Sequence, residues 1–310
     1  MKKVFIDGSA GTTGLRIYER LEARSDISLI RLPEEKRKDV AARKEAINSA
    51  DIVFLCLPDD AARESVSLLC NDNTVILDTS TAHRTEEGWL YGFPEISEDT
   101  AKKLPTAKKI AVPGCHASGV IALIYPLVEA GILSKDVLLC CTSVTGYSGG
   151  GKKMIADYEA ENADKLYTAP RQYALTQQHK HLKEIKAVTG INNLPAFSPI
   201  VSDFYSGMCV TIPIFASQLS SGKSIDDIKA VYSNKYNGPI VKYTDGGDEA
   251  GFLSAAKLSG LDSMEVAVFG NNDRVLLAAR YDNLGKGASG AAVECMNIVM
   301  GVDPTTGLNI

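Results

Sequence analysis

The chain has 310 residues, 45% of them apolar and 23% charged, which is the composition of a globular protein and a length that favours two domains. The net charge of −5 argues against nucleic acid as a main partner, because phosphate backbones bind basic surfaces. Seven cysteines without CxxC or zinc spacing, and no apolar run of the roughly 18–20 residues that a membrane helix needs, favour a cytoplasmic protein with free thiols, no metal site and no membrane contact.

The first third of the chain alternates short apolar runs with helical patterns. Strands are predicted over Lys3–Gly8, Ser28–Leu32, Asp51–Pro58, Asn73–Ser80 and Lys109–Pro113. Helices are predicted over Thr12–Ala23, Glu34–Ser49 and Asp59–Cys70, the last with Asp59 as its N-cap. Such alternation is typical of an α/β, Rossmann-type doubly wound parallel sheet.

The pattern changes after Cys115. A helix is predicted from near Ala117 to about Ala130, followed by strands over Val137–Gly146, Met208–Ala216, Met264–Gly270 and Arg274–Tyr281. These indicate an α+β domain with a mostly antiparallel sheet and helices on one side. The small-residue helix Gly287–Gly301 should pack back on the first domain. We therefore expect a discontinuous first domain, 1–114 and 284–310, and a catalytic and oligomerisation domain, 115–283.

A glycine motif, GSAGTTG, follows the first strand and opens the first helix. The glycines permit a tight turn, and a helix N-terminus attracts a pyrophosphate. The spacing is GxxGxxG rather than GxGxxG, so an ordinary glycine turn is the alternative, but the βαβ context favours a dinucleotide. The expected cofactor-binding residues are Gly8, Ser9, Gly11, Thr12, Thr13 and Gly14.

The end of the second strand favours NADP over NAD. An NAD site usually places a carboxylate there to bind the ribose 2′-hydroxyl, whereas this strand ends in Arg31. Arg31, with Lys36 and Arg37 nearby, could accept a 2′-phosphate. A solvated, charged start of the next helix is the alternative.

Cys115 is the candidate nucleophile, because it lies in AVPGCHASG between a strand and a helix, where a helix N-terminus lowers a thiol pKa. A thiolate beside a nicotinamide suggests hydride transfer between a thiohemiacetal and a thioester.

The reaction also needs a base. Among the histidines, His116 would point about 100° away from Cys115 on the helix, which disfavours it. His83 is possible. His179 and His181, two residues apart on a predicted helix, should not share one face, so at most one is the base.

These residues resemble the N-acetyl-gamma-glutamyl-phosphate reductases of arginine biosynthesis, in their shorter, type 2 form. The resemblance covers nearly the whole chain. It rests on GSAGTTG, STAHR, VPGCHASG, TSVTGYSGGGK, HKHLKEI, FSPIVSDFYSGM and DNLGKGASGAAVECMN. The longer form usually has Tyr or Asn after the cysteine and Pro in HxHxPEI, where this chain has His116 and Lys183.

The resemblance implies that Cys115 is the nucleophile and His179 the general acid/base, with Tyr173 and His181 lining the substrate site. It implies that Arg84 and the turn containing Ser148, Gly149 and Lys152 bind the acyl phosphate and the substrate carboxylate. It places four further residues by the cofactor: Ser80, Asn283, Lys286 and Gly287.

The implied reaction is the NADPH-dependent reduction of N-acetyl-L-glutamyl 5-phosphate to N-acetyl-L-glutamate 5-semialdehyde and inorganic phosphate, in a homo-oligomer (a dimer or a tetramer). A related enzyme acting on aspartyl phosphate would share the fold and the nucleophile, and HxHxxEI argues against it. A non-catalytic NADP-binding regulatory protein would not need Cys115.

Overall fold

A computed structural model describes residues 1–310, which form two compact units. The first unit comprises Met1–Gly114 and Ala288–Leu308, and the second comprises Cys115–Gly287 with Asn309–Ile310. None of the helices is long and apolar enough to cross a membrane.

The first unit contains a six-stranded parallel sheet with the strand order β2-β1-β3-β4-β6-β5. Both β3 and β4 are buried throughout, as strands covered on both faces should be. The strand order reverses between β1 and β3, and doubly wound sheets bind ligands beyond the carboxyl ends of strands at such a point. The strands are β1 (Lys2–Asp7), β2 (Ile27–Ile30), β3 (Ile52–Leu55), β4 (Val75–Asp78), β5 (Leu90–Tyr91) and β6 (Lys109–Ala111), and the helices are α1 (Thr12–Glu22), α2 (Val40–Ser49), α3 (Asp59–Ser67) and α4 (Glu98–Lys103).

Two predicted helix starts in this unit were wrong. The helix expected from Glu34 begins only at Val40, because Asp39 caps it by accepting the Ala42 amide at 2.8 Å. Asp59 is the first residue of α3 rather than its N-cap. Its carboxylate instead accepts the amide and the hydroxyl of Thr81, at 3.0 and 2.5 Å.

The second unit contains a seven-stranded sheet with the order β11-β12-β13-β10-β7-β9-β8. Its pairs are antiparallel except β7 with β9 and β11 with β12. The predicted combination of a doubly wound parallel sheet and an α+β domain is therefore confirmed. The strands are β7 (Cys140–Gly146), β8 (Arg171–Gln172), β9 (Ala196–Ser202), β10 (Met208–Phe215), β11 (Val241–Tyr243), β12 (Met264–Gly270) and β13 (Arg274–Tyr281), and the helices are α5 (Cys115–Glu129), α6 (Gly151–Glu159), α7 (Leu182–Thr189) and α8 (Ile225–Lys235).

One face of the second sheet packs against α5 and α8, and the other is less covered along β7, β9 and β10. Along these strands buried residues alternate with partly exposed ones, as the period of two requires. We call the partly exposed set the open sheet face. Strand register brings its members into one surface: Cys140, Thr142, Val144, Ser198, Ile200, Thr211, Pro213 and Phe215.

The last helix returns to the first unit. A π-helical turn, Gly285–Ser289, precedes α9 (Gly290–Met300), so the predicted start at Gly287 was three residues early. Ala292, Val293 and Met296 of α9 belong to the same apolar core as β1, β3 and β4. The small side chains allow this helix to pack closely on the sheet.

Candidate active site

The glycine turn after β1 has no space for side chains at two of its positions. Gly8 has a φ of +89°, and a Cβ there would lie 2.4 Å from the Cys56 carbonyl oxygen. A Cβ on Gly14 would lie 2.5 Å from the Gly8 carbonyl oxygen. The turn leads into α1 at Thr12, and the first-turn amides of this helix, which have no helical partners, are available to an anion.

Thr12 adds a second sign that a ligand fits this turn. Its Oγ1 is buried and has no hydrogen-bond partner in the protein. A buried hydroxyl normally finds a partner, and a ligand oxygen at the helix start would supply one.

Arg31 follows β2, the strand next to β1, and its guanidinium lies 3.1 Å from the Glu22 carboxylate and 5.0 Å from the Tyr18 ring centroid. It is exposed and keeps further N–H groups for a phosphate.

The loop after β4 is organised around Asp78. The buried carboxylate accepts the Ser80 hydroxyl at 2.7 Å and lies 2.6 Å from His83 Nδ1. The His83 ring is buried and stacks on Trp89, with centroids 4.1 Å apart. His83, considered above as a possible base, therefore belongs to a buried structural pair.

Arg84 lies in the same loop and is partly buried. Its Nε donates to the Val112 carbonyl at 2.9 Å, and its Nη2 donates to the Thr79 carbonyl at 3.0 Å. Two backbone carbonyls thus hold the guanidinium in one orientation, as a cation that binds an anionic substrate requires.

Cys115 is the first residue of α5 and is partly exposed. The predicted helix start near Ala117 was therefore two residues late, and the cysteine lies within the first helical turn. A helix N-terminus there favours the thiolate. A Cβ on Gly287 would lie 3.1 Å from the Cys115 Cβ, so the glycine permits a close approach of the two segments.

Three of the other cysteines have a pKa too high for nucleophilic attack at neutral pH. Burial raises the pKa of Cys56 to about 12 and that of Cys209 to about 11, and it also raises the pKa of Cys141. Only a thiolate attacks efficiently, so these side chains are packing residues.

Three of the four histidines lie together, and two of them contact Phe197. The His179 ring centroid lies 4.7 Å from that of His181 and 5.4 Å from that of His116. Phe197 lies 5.1 Å from His179 and 5.5 Å from His116. We call His116, His179 and His181 the histidine cluster.

His116 links this cluster to Tyr173. Its Nδ1 lies 2.6 Å from the Ser143 hydroxyl, and its Nε2 lies 2.6 Å from the Tyr173 hydroxyl. The Tyr173 ring also contacts His179, with centroids 6.0 Å apart. Both nitrogens of the buried His116 ring are therefore satisfied without a charge.

Burial keeps two of these rings neutral. It lowers the pKa of His116 to about 3 and that of His179 to about 4, with Lys180 acting in the same direction. The His181 amide donates to His179 Nδ1 at 3.2 Å. In the neutral His179 ring this hydrogen bond assigns the proton to Nε2. The ring can therefore donate a hydrogen bond to a substrate oxygen.

One sequence expectation about the histidines was wrong. His179 and His181 precede α7 rather than lying on a helix, so the two rings come together despite their spacing. The direction of His116 away from Cys115, for which it was disfavoured as a base, takes its ring into the cluster. The sequence signal for its burial was the alternation of Cys141, Ser143 and other inward residues along β7.

The glycine-rich turn before α6 is fixed by Asn283. The side chain of Asn283 donates to Ser148 Oγ at 3.0 Å and accepts the Gly207 amide at 2.9 Å. Gly149 beside it is exposed, and Lys152 is exposed in the first turn of α6. The remaining predicted residue, Lys286, is buried in the π-helical turn.

Comparison with protein-family models gives one match for each part of the chain. "Semialdehyde dehydrogenase, NAD binding domain" matches residues 3–104, and "Semialdehyde dehydrogenase, dimerisation domain" matches residues 115–283. An N-acetyl-gamma-glutamyl-phosphate reductase of Mesorhizobium japonicum is 43% identical over 307 residues, covering 97% of this chain and 99% of the relative. An N-acetyl-gamma-glutamyl-phosphate reductase 2 of Nostoc is 42% identical over 318 residues, covering 99% of each.

Solved structures share the fold at low identity. Aspartate semialdehyde dehydrogenase II from Vibrio cholerae, complexed with ASA, superposes with a TM-score of 0.73 at 14% identity, covering 97% of this chain and 98% of that one. Aspartate semialdehyde dehydrogenase with NADP from Candida albicans superposes with a TM-score of 0.67 at 15% identity, with the same coverage.

Proposed function

This chain belongs to the N-acetyl-gamma-glutamyl-phosphate reductase family, and we propose that it converts N-acetyl-L-glutamyl 5-phosphate to N-acetyl-L-glutamate 5-semialdehyde with NADPH, through a Cys115 thioester, in L-arginine biosynthesis. The observation that carries this proposal is Cys115 in the first turn of α5, in a unit that also contains the neutral rings of His116 and His179. The free cysteines suit the reducing cytoplasm.

Cys115 divides the reaction into two steps. Its thiolate attacks the acyl carbon, a C–S bond forms, the C–O bond to phosphate breaks, and inorganic phosphate leaves. The reduced nicotinamide, when bound, supplies the hydride that the thioester needs. The resulting thiohemiacetal breaks its C–S bond, which releases the aldehyde and regenerates the Cys115 thiolate. Amides at the start of α5 stabilise the negative oxygen in both steps.

His179 handles the proton. Because its ring is neutral and carries its proton on Nε2, it can donate to the oxygen that becomes negative during attack. His181 supports it by donating its backbone amide to Nδ1. Tyr173, held by His116, is the substrate-lining residue next to this ring.

We assign substrate binding to cations and amides in two loops, the loop after β4 and the glycine-rich turn before α6. Arg84, fixed on two carbonyls, and Lys152, at the start of α6, supply positive charge for the phosphate and the carboxylate. Ser148 and Gly149 supply the turn, and His181 completes the lining. The assignment rests on charge and exposure in each unit taken separately.

We assign NADP to the glycine turn of the first unit. Gly8, Gly11 and Gly14 give the close approach, and Ser9, Thr12 and Thr13 offer hydroxyls and amides at the start of α1. Arg31 would pair with the 2′-phosphate. The residues proposed to lie by the nicotinamide end are Ser80, Asn283, Lys286 and Gly287.

The open sheet face supports a homo-oligomer. Its side chains are small or apolar, and an uncovered sheet face of this kind is stable when a second copy covers it. Val144→Arg, at its centre, should reduce the molar mass measured by light scattering during gel filtration. Leu166→Arg, at an exposed position outside the face, is the control and should leave the mass unchanged.

The decisive experiment is phosphate-dependent oxidation with NADP, with N-acetylglutamate semialdehyde and aspartate semialdehyde measured side by side. We expect the acetylated substrate to be preferred, Cys115→Ser to be inactive, and His179→Asn to lose about 10²–10⁴-fold in turnover. A preference for aspartate semialdehyde would show that the chain is an aspartate semialdehyde dehydrogenase instead. An active Cys115→Ser variant would eliminate the covalent mechanism.

A further inference from the structure

Three buried tyrosines form hydrogen bonds with α5. Two of them, Tyr232 of α8 and Tyr236 directly after it, donate to the carbonyls of Leu123 and Ala122 at 2.5 and 2.7 Å. The sequence of α5 explains why one of these carbonyls needs a donor from outside the helix. Pro126 has no N–H, so the Ala122 carbonyl four residues earlier lacks its helical donor, and the proline ring disturbs the neighbouring turn. Tyr236 therefore satisfies the carbonyl that the proline frees, and Tyr232 binds the next carbonyl in the same turn.

The third tyrosine, Tyr281 of β13, has no such explanation. Its hydroxyl donates to the Cys115 carbonyl at 2.5 Å and accepts the Gly119 amide at 3.0 Å. An α-helix normally pairs these two backbone groups with each other, and residue 119 is not a proline. The hydroxyl thus enters the first turn of α5, the turn that carries the nucleophile.

Gly119 makes this entry possible. A Cβ at position 119 would lie 2.6 Å from the Tyr281 hydroxyl oxygen and 2.6 Å from Val210 Cγ2. Tyr281 itself is fully buried, and burial raises its pKa, so the phenol keeps its proton and remains a donor. Cys115 is therefore held on two sides, by Tyr281 at its carbonyl and by Gly287 against its Cβ.

We propose that Tyr281 is a positioning residue, which sets the orientation of the first turn of α5 and thereby the direction of the Cys115 thiol. The proposal rests on the proposed role of Cys115 as nucleophile. Its physical basis is that a bridging hydroxyl between the residue-115 carbonyl and the residue-119 amide fixes how the first turn is wound. Without the hydroxyl the first turn loses its bonds to β13, so the turn can shift and move the thiol.

The test compares Tyr281→Phe with Tyr236→Phe. Both variants lose one buried hydroxyl bonded to a carbonyl of the same helix, so a general effect on stability should be common to them. Only the first changes the turn that contains Cys115. For each variant we would measure turnover, the Michaelis constant of the acyl phosphate, the iodoacetamide labelling rate of Cys115 without substrate, and the urea midpoint.

We expect Tyr281→Phe to lose on the order of ten- to a hundredfold in turnover, the cost of a small misplacement of a reacting group, with a nearly unchanged Michaelis constant. Cys115 labelling should change severalfold. Tyr236→Phe should show a similar fall in the urea midpoint and a turnover within about twofold of the original. Equal turnover and labelling in the two variants would overturn the positioning role.

Two further measurements keep the result interpretable. If Tyr281→Phe does not fold, 4-fluorophenylalanine at position 281 fills the volume of the hydroxyl without a donor, and the same outcomes apply to it. Cys115→Ser is assayed in the same series. An active serine variant would refute the role of Cys115 as nucleophile. An inactive serine variant, together with equal turnover and labelling in the two tyrosine variants, would refute only the role of Tyr281.

Discussion

Acid should destabilise the second unit through His116. The buried ring is neutral, bonded to Ser143 and Tyr173, and its pKa is lowered by burial from 6.5 to about 3. In the unfolded chain the same ring binds a proton below about pH 6.5. Between pH 6.5 and about 3 the unfolded state therefore holds more protons than the folded state, and stability falls as the pH falls.

The size of this effect follows from the pKa difference. At pH 4 the gap to the ordinary value of 6.5 corresponds to about 3 kcal/mol, at about 1.36 kcal/mol per pH unit. That is a large fraction of the 5–15 kcal/mol by which a typical domain is stable. His179 acts in the same direction, but its partial exposure reduces its share.

The assay must report on the second unit. Trp89, the only tryptophan, lies in the first unit, so its fluorescence does not serve. We would equilibrate the protein in urea at pH 7 and pH 4 and apply a hydrogen-exchange pulse at one fixed pH, read by mass spectrometry on peptides of β7. His116→Asn keeps a polar side chain that does not titrate, and its loss of stability between the two pH values should be smaller by about 3 kcal/mol. An equal loss in both proteins would refute the reasoning.

Three predictions concern the anion sites. Arg84→Ala and Lys152→Ala should each raise the Michaelis constant of the acyl phosphate severalfold but not that of NADPH, and unchanged constants in both would make them surface charges. Arg31→Ala should weaken NADPH binding about ten- to a hundredfold, the range for charge-assisted hydrogen bonds, while the activity with NADH stays constant. A preference of the unmodified enzyme for NADH would contradict this prediction. Gly8→Ala should abolish NADPH binding in a fluorescence titration, because its Cβ would overlap the Cys56 carbonyl, and normal binding would exclude a role for the turn.

The regular elements with strong sequence patterns were predictable. Met264–Gly270 and Arg274–Tyr281 were predicted with the bounds that the structure has, because alternation is clear in both. Strand β9 was not predicted. It contains Pro199, which normally argues against an inner strand, but here its register places it opposite Ser143 of β7, and its carbonyl accepts the Tyr173 amide at 3.0 Å.

In the candidate site, too, some residues could be predicted from local sequence and others could not. Cys115 and the glycine turn were found because local sequence determines a strand-to-helix junction. The environment of His116 was not, since its partners Ser143 and Tyr173 are 27 and 57 residues away and only tertiary packing brings them together. The helix expected around His179 and His181 failed for a related reason: helical periodicity does not show that α7 starts only at Leu182.

Burial of the histidine cluster connects the chemistry of the site with the acid sensitivity of the fold. A pKa of about 4 keeps the folded His179 ring neutral at neutral pH, so the proton that we propose for Nε2 is present there. The protonation of the folded ring occurs near pH 4, whereas stability begins to fall near pH 6.5, where the unfolded ring protonates. Acid therefore begins to weaken the fold about two pH units before it changes the charge of His179.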